Sequence, residues 1–375
     1  MKNTQTTFDV LIVGAGTAGL MLARELGNEK CKTLLIDRKK DLLNFSFNTL
    51  GSFMNLSSFG LTKNVVAQEL ESAIIYSKNF RKKIKGCGYI LDKKKLHQEL
   101  LNSLDENYIT IKKNIHIKEV KKDEKGFFTE VIDKNKKSYS AKIIIDASGI
   151  VGVLSKQVGL LPKNMILATG VEYNVKYKGK PGQGHLLIGK QYHGGYGWIF
   201  PLQNNRAILG FGSFEGAVIK ELKPRLNEIL KFPLIASLVE KDNETVEGGS
   251  IPITPVLEKF VDHNLVCVGD SVSQVNPVVG EGYKFIFEAA IMASKSIVKT
   301  LENNDYSLLH EYELEWKARF LKSYQRAKYS QEKIFKYSRK DHLVDLMLLL
   351  LKLRSDKSII RSLSGEFFND PIIKD

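Results

Sequence analysis

On its sequence the chain is an α/β protein: a doubly wound nucleotide-binding domain, an inserted and mainly antiparallel β-sheet domain, and a helical C-terminal region. Three observations predict this. Residues 8–37 run strand, glycine turn, helix, strand. Between about residues 165 and 251 the apolar period shortens to two. The segment NLVCVGD then brings back the first pattern and leads into a long helical spacing.

The elements follow in order. FDVLIV, residues 8–13, is a short apolar run rich in β-branched residues. GAGTAG follows at once, then LMLAREL at helical spacing, then KTLLID, which ends at Asp37. Residues 41–90 are rich in Phe, Ser and Asn and weakly periodic, so loop and irregular crossover are expected there. A helix is expected from Lys93 to Leu104, then strands near 109–120, 126–132 and 138–145, the last running into DASG. MILATGVEYNVKY, HLLIGK, YGWIFPL and RAILGFGSF alternate as antiparallel strands do, with one helix near 216–230. A long helix begins near Gly280 and reaches about Leu301, and the remainder is helical, charged and amphipathic. The expected boundaries are 1–164 for the first part of the nucleotide domain, 165–255 for the sheet domain, 256–303 for the second part and 304–375 for the helical region.

Composition narrows the function. With 43% apolar and 26% charged residues the chain is an ordinary folded protein, which excludes wholesale disorder. No run approaches the roughly 18 apolar residues of a membrane-spanning helix. The start, MKNTQTTFDV, runs into a strand without a signal core, and the expectation is a cytoplasmic protein. Cys31, Cys87 and Cys267 are too far apart for a zinc site or a disulfide framework, so no metal is expected. The net charge of +14 is carried by lysine far more than by arginine, since only 10 of the 56 basic residues are Arg. That argues against base reading in nucleic acid, where arginine dominates. It leaves a solvated lysine surface, with peripheral contact to an anionic membrane as the functional alternative. The amphipathic stretch ending in LVDLMLLLLKL is the segment that suits the alternative.

The glycine turn carries the first chemistry. Gly14, Gly16 and Gly19 form G-x-G-x-x-G between strand and helix. The first glycine allows the tight turn, the second lets backbone approach a pyrophosphate, and the third allows close helix–strand packing. Asp37 ends the second strand where a carboxylate can bind ribose hydroxyls. A second loop, GDSVSQVNPVVGEGY, joins strand to helix some 250 residues later through Gly269, Asp270, Pro277, Gly280, Glu281 and Gly282. A nicotinamide domain has no use for it, whereas an extended FAD does. The positive end of the helix that follows can stabilise reduced, anionic flavin. The cofactor expected is FAD.

These motifs resemble FAD-dependent oxidoreductases of the para-hydroxybenzoate hydroxylase-like fold, through GAGTAG with Asp37-Arg38, DASG at 146–149, and the late GD loop. Within that group the sequence is similar to the geranylgeranyl reductase family. Its pattern Y-x-W-x-F-P, then eight residues, then G-x-G, is met by Tyr196, Trp198, Phe200, Pro201, Gly210 and Gly212, and the tract with Tyr312 and Trp316 is also similar. The resemblance implies cofactor contacts at Ala18 and Gly19 (pyrophosphate), Asp37 (ribose), Lys93 (usually arginine), the Val120 backbone (adenine), and Asp270, Gly282 and Tyr283 (flavin). Arg38, Ala147, Gly149, Gly269, Pro277 and Gly280 complete the expected cofactor set. Many members carry a Cys-Gly element in the segment corresponding to 41–60, and this chain has no cysteine there.

Trp198 and Phe200 share one strand face with Tyr196, either as core or as the wall of a pocket for a long apolar substrate, with Gly210 and Gly212 leaving open space opposite. Glu281, Tyr196 and His193 are the candidate proton donors, Glu281 being equally readable as a carboxylate at a helix start. The expected reaction is reduction of carbon–carbon double bonds in a prenyl-like substrate, with NADPH or reduced ferredoxin as external reductant. A monooxygenase, a halogenase or a redox-neutral cyclase on the same fold is the alternative. Oligomeric state is not legible in the sequence.

Overall fold

The computed structural model describes residues 8–162, 165–192, 194–214, 219–243, 245–253 and 257–366. β1 (Val10–Val13) and β2 (Thr33–Ile36) run parallel and fully buried, joined by α1 (Thr17–Asn28). They do not alternate because both their faces are covered.

The next segment departs from expectation. Residues 41–90 hold three strands, β3 (Thr49–Ser52), β4 (Val66–Tyr76) and β5 (Arg81–Asp92), the last two a long hairpin. Register shifts between Val66 and Gln68 and between Leu70 and Ser72 break the period of two, which is why the sequence looks irregular there.

α2 (Lys93–Asn102) starts where Asp92 accepts the Lys95 N–H, a side-chain N-cap. β6 (Ile109–Lys112) extends the parallel sheet beside β2. β7 (Ile117–Lys122), β8 (Phe128–Asp133) and β9 (Ser138–Tyr139) form a small antiparallel sheet whose Phe128, Val131 and Tyr139 join the main core. β10 (Ile143–Asp146) then returns beside β1.

A second large sheet begins with β11 (Leu167–Tyr177), β12 (Gln183–Leu187), β13 (Tyr196–Leu202) and β14 (Arg206–Ser213). α3 (Ile219–Ile229) and α4 (Pro233–Leu238) follow, then β15 (Val239–Glu240) and β16 (Glu247–Pro252), both on β11. The order is β15-β11-β14-β13-β12-β4-β5-β3, with β12 parallel to β4, so strands on both sides of residue 164 build it. Its two faces differ. Val171, Tyr173, Val175, Ile199, Leu209 and Phe211 bury against Leu222, Leu226 and Ile229 of α3. Gly170, Glu172, Tyr196, Trp198 and Phe200 alternate with them and point the other way.

β17 (Val261–Asp262) and β18 (Leu265–Cys267) complete the first sheet, in the order β17-β18-β10-β1-β2-β6. α5 (Tyr283–Asn303) packs along α1, and α6 (His310–Tyr337) along α5. Phe285, Trp316, Phe320 and Tyr324 interlock there, each contributing about 1.5–3 kcal/mol by burial. α7 (Asp341–Lys352) and α8 (Asp356–Leu363) lie on the β4–β5 hairpin through Ile75, Ile84, Leu348 and Ile359. The α/β plan with a second, mainly antiparallel sheet and a helical C-terminal region is as the sequence predicts.

Candidate functional site

The three glycines of the first turn do three different jobs. A Cβ on Gly14, whose φ is +112°, would sit 2.4 Å from the Ala147 carbonyl oxygen, and one on Gly19 would sit 1.8 Å from the Gly14 oxygen. A Cβ on Gly16 would meet nothing within 4 Å, so this is the glycine that leaves backbone bare for a ligand. Gly16 caps α1 without a side-chain hydrogen bond, which leaves first-turn N–H groups and the helix dipole for an anion. Asp37 holds the loop: its Oδ2 accepts the Ala15 N–H and its Oδ1 the Lys39 N–H, both at 2.7 Å. Arg38 beside it is exposed.

Two lysines converge on one ring. Lys39 Nζ lies 4.9 Å and Lys93 Nζ 4.8 Å from the centre of Phe45, and Lys93 also lies 3.7 Å from the centre of Phe47. Neither makes an ion pair among the described residues. Burial, reinforced by the charge of Lys39, pushes the Lys93 pKa down to about 8, while burial also lowers that of Lys39. Two crowded, partly dehydrated cations suit an anionic group such as a diphosphate. One turn along α2, the buried His97 places Nε2 3.1 Å from the Thr17 hydroxyl and 3.5 Å from that of Tyr283. His97 therefore ties the first turn of α1 to the first turn of α5. Burial and the two lysines push its pKa down to about 3, so it is neutral.

The second loop closes on the first. A Cβ on Gly269, at φ +80°, would meet the Ala18 Cβ at 2.9 Å. One on Gly280, at φ +71°, would meet the Ile251 Cδ1 at 2.4 Å. Gly282 caps α5, again without a side-chain bond. Burial raises the Asp270 pKa to about 6 against the attraction of Lys93. Glu281 is turned away from the helix start: Ser52 O–H donates to its Oε1 at 2.6 Å and Phe53 N–H at 3.1 Å. Its Oε2 is buried without a partner among the described residues, and burial raises its pKa. The Tyr196 hydroxyl donates to the Val279 carbonyl at 2.6 Å, which pins the loop to β13. Asp146 accepts the N–H groups of Ser148, Leu154 and Ser155, so the DASG acid shapes its own turn, and Gly149 is left open at φ +68°. The Val120 N–H donates to Gln157 Oε1. Pro277 lines a separate cleft of about 1350 Å³ between α6 and residues 257–263, away from Tyr196, Trp198 and Phe200. His193 lies outside the described residues.

On the open face of the second sheet one register row reads Trp198, Gly210, Glu172, Glu247, and the next reads Tyr196, Gly212, Gly170, Gly249. The rings of Tyr196, Trp198 and Phe200 stand in a line, half-buried, with centres 5.8 and 6.2 Å apart. Among the described residues they belong to no apolar core cluster. The space over Gly210 is not empty, contrary to the expectation from sequence: a Cβ there would lie 2.6 Å from the Trp198 ring, which rests on the glycines. Trp198 Nε1–H donates to Glu172 Oε2 at 3.3 Å. Glu172 Oε1 is buried and unpartnered among the described residues. Burial, with the nearby Glu247, pushes the Glu172 pKa up to about 8, so this carboxyl is protonated at neutral pH.

Glu172, His97 and Lys39 were not singled out in the sequence. Alternation places Glu172 opposite Val171 and Tyr173, but a lone acid in a strand reads as solvated until Trp198 is seen to cover it. His97 follows Lys93 by one helical turn, the only signal it gives.

With the geometry in view, the sequence matches the family described as lycopene cyclase protein over residues 9–369. The chain belongs to that family. It is 25% identical to a digeranylgeranylglycerophospholipid reductase of Methanococcus vannielii, over 86% of this chain and 85% of that one. A geranylgeranyl bacteriochlorophyll reductase-like structure from Thermoplasma acidophilum superposes with TM-score 0.83 at 21% identity, covering 96% of this chain and 97% of that one. A variant of Klebsiella pneumoniae HpxO complexed with FAD superposes at TM-score 0.76 and 15% identity, over 97% of this chain and 100% of that one. The resemblance to the geranylgeranyl reductase family holds, and the chain is an FAD-dependent oxidoreductase. The bare Gly16, the two helix starts without side-chain caps and the lysine pair fit the cofactor's diphosphate and flavin ends.

Proposed function

We propose that this oxidoreductase saturates carbon–carbon double bonds in a prenyl lipid or another long apolar substrate, with NADPH or reduced ferredoxin as the external source of electrons. The observation that carries the reading is the sheet face built from Tyr196, Trp198 and Phe200 beside a row of glycines. A flat, apolar, half-open wall of this kind suits an extended hydrocarbon chain. Reduced FAD, when bound, supplies the hydride. The chain's own part is to hold the substrate along the rings and to keep a proton at Glu172, the acid on that wall, for the second carbon. Lys39, Lys93, Asp37 and the first turns of α1 and α5 position the cofactor. A substrate carried by a bilayer also makes peripheral membrane contact part of this reading.

A redox-neutral cyclisation is the second reading, favoured by the family match over residues 9–369. Anaerobic turnover on a prenyl lipid separates the two. The reductase reading expects a yellow protein that releases FAD on denaturation, and a product that gains two hydrogens as the flavin is oxidised. A product of unchanged mass with the flavin still reduced establishes cyclisation, and a product that forms only with oxygen establishes monooxygenation.

A further inference from the structure

α7 is fastened by one side only. Val344 and Leu348 are buried, Leu348 against Ile75 and Ile84 of the β4–β5 hairpin, and Asp345 accepts from the Ser77 hydroxyl and from the backbone and side-chain amides of Asn79. The opposite side carries Leu346, Leu349, Leu350 and Leu353, at i, i+3, i+4 and i+7, exposed by 53, 40, 57 and 84%. Four large aliphatic side chains in one stripe are not the scattered exposure of an ordinary surface.

The charges around the stripe are sorted. Residues 339–357 contain three acids, and all three are turned onto the protein. Asp341 faces Lys78 and Lys190, Asp345 is held as above, and Asp356 pairs with Lys82 at 3.1 Å and accepts the Lys85 N–H. The five basic residues, Arg339, Lys340, Lys352, Arg354 and Lys357, are exposed at the two ends of α7. Apolar side chains flanked by cations, with the carboxylates withdrawn, are complementary to a lipid surface bearing anionic headgroups. A second copy docked face to face would instead set these basic ends against their own copies.

We propose that the leucine stripe of α7 and its flanking basic residues are the surface on which this protein lies against an anionic lipid bilayer. The inference rests on the reading that the substrate is a lipid and names where the protein meets it. α7 has 12 residues and cannot cross a bilayer, and among the described residues no helix is long and apolar enough to do so. The contact is therefore in the plane of the headgroups, with the leucines dipping into the acyl boundary.

The test uses the full chain and vesicles free of prenyl substrate. Wild-type protein should sediment with phosphatidylcholine vesicles containing about 30% phosphatidylglycerol, bind pure phosphatidylcholine far less, and be released by salt. Leu350→Glu with Leu353→Glu should lower the bound fraction by roughly tenfold or more, and Lys340→Glu with Lys352→Glu should do so chiefly on anionic vesicles. Both variants should keep the wild-type FAD affinity and nearly the wild-type Tm, because the altered side chains are exposed and the contact given up is that of Lys352 with the Phe80 ring. Binding that survives both variants overturns the proposal. So does wild-type protein that ignores both vesicle types, or a dimer in solution that Leu350→Glu with Leu353→Glu dissociates. Turnover on detergent-dispersed substrate, measured alongside, reports on the reductase reading, so the two can fail separately.

Discussion

The protein has two tryptophans, and their surroundings differ as its two sheets do. Trp316 on α6 is fully buried, with the ring centres of Tyr324, Phe260 and Phe320 at 5.0, 5.2 and 5.3 Å. Trp198 on β13 is half-buried and has its broad side on glycine backbone. Around Trp316 large rings fill space against one another, as close packing requires. Around Trp198 side chains have been removed, at Gly170, Gly210 and Gly212, so that a ring can lie flat. The first arrangement is a core built for stability. The second gives up apolar contacts that a core would keep and leaves a wall open on one side, which is what a ligand face requires.

The largest effect expected on breaking this contrast is on stability. Trp316→Ala should cost about 3–5 kcal/mol, since it opens a cavity among three rings. Trp198→Ala removes a ring that is only partly buried and should cost well under half as much, while substrate binding falls. Thermal unfolding of both variants with FAD saturating, together with turnover, measures the pair. Equal losses in Tm, with unaltered kinetics in the Trp198 variant, would return Trp198 to the core.

A middle-sized effect separates the two glycines of the G-x-G motif. A Cβ on Gly210 would press on the Trp198 ring at 2.6 Å and on the Val171 carbonyl oxygen at 2.7 Å. A Cβ on Gly212 would find ordinary contact, 3.6 Å from the same ring. Gly210→Ala should cost about 1–3 kcal/mol and displace the indole, whereas Gly212→Ala should be nearly neutral. Tm and the tryptophan emission maximum of each variant decide it. Equal sensitivity at the two positions would mean that the ring does not rest on the sheet as described.

The same contrast explains what the sequence could reveal. The glycine turn, β1, β2 and α5 were legible because fully buried parallel strands and a long amphipathic helix have strong, regular patterns. The β3–β5 region was not, because two bulges disrupt its alternation and most of its residues are only partly covered. In the candidate site, Asp37 and the glycines were visible as a motif whose spacing is fixed by backbone geometry. Glu172 was not, because its burial depends on Trp198 reaching across Gly210 from two strands away. The lysine pair was half visible: Lys93 through the family pattern, but Lys39 only once the chain brings Phe45 between them.

The remaining effect depends on pH and is the most direct report on the candidate acid. Glu172 titrates near pH 8 in the folded protein against an ordinary 4.5, with burial as the main cause. In that window the folded state keeps a proton that the unfolded chain has released, so stability is fully present below about pH 4.5 and declines as pH rises to about 8. Glu172→Gln removes this slope. Its Tm relative to wild type should rise by about 3–5 °C between pH 5 and 8. The two tryptophans supply the local readout. In flavin-free protein the emission of Trp198, whose Nε1–H donates to Glu172, should change through a transition near pH 8, well below the range of the buried tyrosines. Trp316 should contribute no such step, so Trp198→Phe should abolish it, as should Glu172→Gln. A transition that persists in Glu172→Gln would assign the titration to another group and leave the sheet face without its neutral acid.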